Sequence, residues 1–180
     1  MKVLKTKFKD LLVIKKDTYF DNRGYFRELY LNKLLKKKFV FDVLSLSKKN
    51  VLRGLHLQTK KPQGKLITVL RGEILDVSLD CRIRSRTFGK YFSIKLSEKD
   101  NISVYIPEGF AHGFVSLENN SVLHYKCTNY RDEKSETGIL WNDKDLDIKW
   151  PIKNPIISKK DSQNLTFSDF SKRVLKNIKI

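Results

Sequence analysis

The chain has 180 residues, 40% of them hydrophobic and 32% charged, with a net charge of +17. These proportions exclude a disordered chain, and the length suits a single domain over residues 1–180 whose core needs no disulfide or metal. No apolar run approaches the ~18–20 residues of a membrane span, and the two cysteines, Cys81 and Cys127, make no disulfide framework, so no membrane is implied and a reducing cytoplasm is the expected compartment.

Residues 3–20 read as short extended segments, with Leu11 to Ile14 as a buried strand and a turn at Asp21 to Gly24. The stretch LYLNKLLKKKF has the only helical spacing in the first half, through Leu31, Leu34 and Leu35. Strand-like segments follow. FDVLSLS alternates in part, and KLITVLRGEILDVSLD is two β-rich runs broken at Arg71–Gly72. In FGKYFSIKLS, Phe92, Ile94 and Leu96 oppose Tyr91, Ser93 and Lys95. ISVYIPEGFAHGFVSLENNSVLHYKCTNY reads as three strands joined by a Pro-Glu-Gly turn and an Asn-Asn turn. A short helix is expected near Phe167–Val174. This regular punctuation predicts an all-β sandwich or barrel, not a βαβ fold.

The charge is unevenly spread. Residues 1–60 hold 16 basic against 5 acidic groups, residues 61–150 hold 14 against 13, and residues 151–180 hold 7 against 2. Such an excess reads either as a solvated charged face or as a site for an anionic partner, which a small phosphate ligand fits as easily as a polymer, and the near-neutral middle segment counts against nucleic acid. A nucleic-acid binder should instead carry a continuous basic stripe with exposed aromatics.

There are only three histidines, His56, His112 and His124, and none neighbours another. A metal site would need all three to converge. No phosphate loop, dinucleotide fingerprint or GxSxG elbow occurs. What remains is an acid–base set. Histidine takes protons near neutrality, lysine holds an oxyanion and tyrosine returns a proton. His56, Lys65 and Tyr125 lie on separate segments that a barrel can gather, although each also fits a purely structural role.

The blocks FDNRGYFRE, NVLRGLHLQ, QGKLITVLRGEILDVSLD, SVYIPEGFAHGFVSL, LHYKCTNY and GILWNDKDLDIKW, followed by SKKD, occur in this order over residues ~20–161. Together they resemble the dTDP-4-dehydrorhamnose 3,5-epimerase family. The resemblance implies a cupin-type jelly-roll β-barrel with short flanking helices, a homodimer, and neither metal nor cofactor. A missing His-x-His at His56 agrees with the last point. It further implies that His56 is the general base, Asp161 the carboxylate that orients it, Tyr125 the general acid, and Lys65 the group at the 4-keto oxygen. Arg23, Glu28, Arg53, His112, Glu136 and Lys160 match positions that contact substrate or line its site, with Arg23 and Glu28 reaching into the partner subunit. The implied substrate is an NDP-4-keto-6-deoxy sugar inverted at C3, C5 or both.

Two positions depart from the family pattern. Its usual Gln-x-Asn segment before RGLH, which contributes to the nucleoside site, is Phe41 and Val43 here. A guanosine-linked hexose or heptose therefore rivals a thymidine-linked one. Arg131 stands where the family often has a second tyrosine, so it joins the candidate substrate contacts. Two other readings stay open, a 3,4-ketoisomerase of the same fold and a non-catalytic basic binding protein.

Overall fold

The structure is a computed structural model that describes residues 1–174. In chain order the strands are β1 (Lys2–Lys5), β2 (Leu12–Lys15), β3 (Thr18–Asp21), β4 (Gly24–Arg27), β5 (Phe41–Ser47), β6 (Leu52–Gln58), β7 (Lys65–Arg71), β8 (Glu73–Asp80), β9 (Tyr91–Ser97), β10 (Ile102–Ile106), β11 (Phe110–Ser116), β12 (Ser121–Cys127) and β13 (Glu136–Gly138). The helices are α1 (Asn32–Leu35), α2 (Lys159–Ser162) and α3 (Phe167–Arg173).

Two antiparallel sheets face each other as a jelly roll, the architecture expected from the sequence. One has six strands in the order β1-β2-β10-β7-β12-β5, and the other five in the order β13-β6-β11-β8-β9. Strands β3 and β4 form a separate hairpin. The alternation expected for β9 holds, because Phe92, Ile94 and Leu96 join the core between the sheets with Ile67, Val69, Ile74, Phe114 and Leu123. Burial of such side chains contributes about 1.5–3 kcal/mol each.

The expected first-half helix shrinks to the single turn α1. Leu31 sits at its N-cap and offers no capping hydrogen bond, and Lys36 ends it in a left-handed conformation, φ 49°. Leu34 and Leu35 still pack, with Tyr30 and Phe39, on the outer side of the six-stranded sheet.

The C-terminal segment covers the outer side of the five-stranded sheet. Ile139, Leu146 and Phe170 pack there against Leu55, Leu57, Val77 and Leu79. A parallel bridge between Val51 and Ile156 holds this segment beside β6, and a second, between Ile139 and Leu165, joins two parts of the segment itself. That docking carries α2 to the edge of the barrel. Helix α3 occupies the region where the sequence placed a helix, and Thr166 caps it by accepting from the Asp169 amide.

Candidate active site

A cavity of about 610 Å³ lies between the sheets. Its walls come from β5, β7 and β12 on one side, and from β6, β11, β13 and the α2 segment on the other.

On the β6 wall, His56 and His112 are cross-strand partners. Both line the cavity, and each has its own carboxylate. His56 Nε2 lies 2.6 Å from Asp161 Oδ1, and His112 Nε2 lies 2.7 Å from Asp76 Oδ2. Asp161 accepts from Nε2–H, which leaves the lone pair of the neutral His56 ring on Nδ1. No hydrogen bond occupies Nδ1 among the described residues.

Asp161 is 3% exposed and held from several sides. Its amide donates to Ser158 Oγ, the α2 cap, and its Oδ2 accepts from the Gly54 amide at 3.4 Å. Burial pushes its pKa up, but the His56 contact and these hydrogen bonds outweigh that and leave it below the usual carboxylate value. The close crossing of β6 and β11 demands glycine. Gly54 has φ +122°, and a Cβ there would meet Gly113 Cα at 2.5 Å and His112 O at 2.8 Å.

Tyr125 stands on the opposite wall, in β12. Its ring centroid is 6.3 Å from that of His112, and its hydroxyl is 3.1 Å from Ser45 Oγ. Burial raises the phenol pKa well above its ordinary value, so the group stays protonated near neutrality. Lys65 pairs with Cys127, two residues along β12 from Tyr125. Burial lowers the Lys65 pKa, while Cys127, Glu136 and Asp76 pull it back up. Cys127 also lines the cavity, and burial raises its thiol pKa.

Cationic groups ring this chamber. Arg53 donates to Ser47 Oγ at 3.1 Å and to Leu46 O at 3.2 Å. Glu136 joins two further cations, since Arg131 Nε donates to its Oε2 at 3.1 Å and Lys160 Nζ to its Oε1. Burial would raise the Glu136 pKa, but these two partners pull it down to about 2.

Nine of the eleven site residues named from the sequence therefore line one cavity. Arg23 and Glu28 do not. Arg23 sits at the exposed tip of the β3–β4 hairpin, paired with Asp21. Asp76 and Ser45 escaped the sequence reading, yet both carried a signal. Each is a polar side chain on the inward phase of an alternating strand, Asp76 between Ile74 and Ser78 in β8, and Ser45 between Val43 and Ser47 in β5. Asp76 Oδ1 is buried without a hydrogen-bond partner. No group of three or more His, Cys, Asp or Glu side chains able to hold a metal ion occurs among the described residues. No helix among them is long and apolar enough to cross a membrane.

The chain is similar to known proteins along nearly its whole length. The chain is 44% identical over 170 residues to a dTDP-4-dehydrorhamnose 3,5-epimerase of Salmonella typhimurium, covering 90% of this chain and 93% of that protein. It is 42% identical over 166 residues to the enzyme of that name from Methanothermobacter thermautotrophicus, covering 88% and 90%. A solved dTDP-6-deoxy-D-glucose-3,5-epimerase of Legionella pneumophila Philadelphia 1, in complex with dTDP-4-keto-L-rhamnose, superposes with a TM-score of 0.91 at 36% identity, covering 98% of this chain and 96% of that one. The sequence profile of dTDP-4-dehydrorhamnose 3,5-epimerases matches residues 5–169, and the chain belongs to that family.

Proposed function

We propose that the protein is a cofactor-independent epimerase that inverts carbons alpha to the ketone of an NDP-4-keto-6-deoxy sugar, C3, C5 or both. The observation that carries this is the placement of a carboxylate-held imidazole and a protonated phenol on opposite walls of one cavity.

A C–H bond beside a ketone is acidic because its electrons can move onto the carbonyl oxygen. His56 Nδ1 takes that proton, and Asp161 stabilises the imidazolium that results. The electron pair forms an enolate whose oxygen is held by Lys65, with His112 beside it. Tyr125 then delivers a proton to the opposite face of the same carbon, which inverts it. The phenolate recovers a proton from solvent, and the His56 imidazolium releases its own to solvent. A ketoisomerase moves hydrogen along one face of an ene-diol, so acid and base on facing walls weigh against that alternative. The relatives' names and the ligand of the Legionella pneumophila enzyme support dTDP as the nucleotide. Arg53, Arg131 and Lys160 suit its diphosphate, the two guanidinium groups by bidentate contacts with phosphate oxygens and the Lys160 ammonium by its charge.

The working unit is a homodimer. The β3–β4 hairpin exposes Tyr19, Phe20, Tyr25 and Phe26 at 57–74%. Four large rings on one hairpin favour a covering surface. A second copy supplies it, and the hairpin then presents Arg23 and Glu28 to the partner's cavity. The test of the function is incubation with dTDP-4-keto-6-deoxyglucose, followed by NMR of the sugar ring. Inverted centres are expected, and an unchanged ring would overturn the assignment.

A further inference from the structure

Strand β5 is an edge of the six-stranded sheet, and its burial alternates. Asp42, Leu44 and Leu46 are exposed, while Val43, Ser45 and Ser47 turn towards the barrel interior. Val43 pairs with Tyr125 across to β12, and Ser45 pairs with Leu123. Ser45 thus stands one inward step along the sheet from the phenol. Its Oγ is 3.1 Å from the Tyr125 hydroxyl, and both side chains line the cavity. Among the described residues, Ser45 is the only hydrogen-bond partner of that hydroxyl. The next inward residue, Ser47, accepts from Arg53 at 3.1 Å.

A buried phenol is a reluctant acid, because the phenolate it leaves has lost its water. Burial is what holds the Tyr125 pKa up, and the Ser45 hydrogen bond is the strongest influence against it, ahead of the Arg53 charge. The direction of this bond changes its worth during the reaction. In the resting site either hydroxyl can donate. When Tyr125 protonates carbon, its O–H bond breaks, the enolate electron pair forms the new C–H bond and the ketone is restored. The phenolate left behind has no hydrogen, so Ser45 must then be the donor. A neutral hydrogen bond becomes a charge-assisted one, roughly twice as strong. The gain comes only as the proton leaves, so it speeds the step without tightening substrate binding.

We propose that Ser45 is a positioning residue for proton delivery: its hydroxyl aims the Tyr125 phenol into the chamber and supports the phenolate that forms there, and so governs how often the enolate is captured on the inverting face. The proposal rests on the epimerase reading above.

The test compares wild type, Ser45→Ala and Ser45→Thr acting on dTDP-4-keto-6-deoxyglucose in D₂O, with inverted product and deuterium in the uninverted sugar scored separately. Ser45→Ala should invert the sugar about ten- to a hundredfold more slowly, with KM within about threefold of wild type. Deuterium should continue to enter the uninverted sugar, because His56 still opens and recloses the C–H bond. Ser45→Thr keeps a hydroxyl on the same carbon and should recover most of the inversion rate. Inversion at the wild-type rate in Ser45→Ala, equal loss of exchange and inversion, or a threonine variant no faster than the alanine one would each overturn the proposal and leave the epimerase assignment standing. Absence of inversion by the wild-type protein brings down the assignment itself, and the proposal with it.

Discussion

Asp161 lies 105 residues after His56 in the chain and 2.6 Å from it in space. The C-terminal segment makes this contact by running alongside β6, where Ile156 bridges Val51 and Ser158 caps the turn that carries the carboxylate. The role proposed for Asp161 is to keep the His56 proton on Nε2 and to steady the ring once it is charged. Asp161→Asn preserves the shape and removes the charge. It should lower kcat by about 10²–10⁴-fold, measured as the initial rate of epimerisation. A variant that turns over at the wild-type rate would remove Asp161 from the mechanism.

Tyr125→Phe deletes one hydroxyl, with its Ser45 contact, and leaves the wall in place. Net epimerisation should fall by about 10²–10⁴-fold, while exchange of sugar hydrogen with deuterated solvent continues, because His56 can still take the proton and give it back. Equal loss of exchange and inversion would place Tyr125 in the deprotonation step.

Lys65 gives a prediction on the alkaline side. Burial lowers its pKa, so its ammonium is lost at a lower pH than the ~10.4 of a free lysine. If this charge holds the enolate, kcat/KM should decline with rising pH before that value is reached. Lys65→Arg keeps its charge throughout and should move the decline upward. A profile identical in the two proteins would assign the alkaline limb to another group.

Residue chemistry alone raised His56, Lys65 and Tyr125 as acid–base candidates without separating them from structural roles, and the family resemblance supplied the rest of the site. Strand periodicity adds little for His112 and His56, because β11 is buried on both faces and β6 nearly so. Helix α1 read longer than it is, since leucine spacing registers amphipathicity but not the missing cap at Leu31. The pairing of Asp161 with His56 could not come from periodicity, because it depends on a long irregular segment docking beside β6. Family resemblance supplied it. Asp76 was legible in principle but carries no motif of its own, and its partner His112 lies 36 residues away.

Glu136 ties acid stability to the site. Its pKa is about 2 in the folded protein and ~4.3 in an unfolded chain. A depressed carboxylate stabilises the fold above the unfolded value, and that contribution is lost as pH falls from about 4.5 towards 2. Arg131 and Lys160 are about half exposed, so solvent screening limits the gain to about 1–2 kcal/mol. Thermal unfolding of Glu136→Gln should show a lower Tm at neutral pH and a shallower fall below pH 4.5. Superimposable curves would show that the cluster contributes no net stability.

The proposed exchange of Arg23 between subunits has its own test. His56→Asn lacks the base, and Arg23→Ala lacks the residue lent to the partner. Each should be nearly inactive alone. Co-refolded, they form mixed dimers with one intact site, and activity should recover to about a quarter of wild type. No recovery would mean that each site is built from a single chain.

The central claim is that His56 removes hydrogen from carbon beside the ketone. Wild-type enzyme and His56→Asn, each incubated in D₂O with dTDP-4-keto-6-deoxyglucose and followed by mass spectrometry, test it most directly. The account predicts a mass gain of one or two units with wild-type enzyme, one for each centre opened, and none with the variant. Deuterium entering the sugar at the wild-type rate in His56→Asn would contradict it.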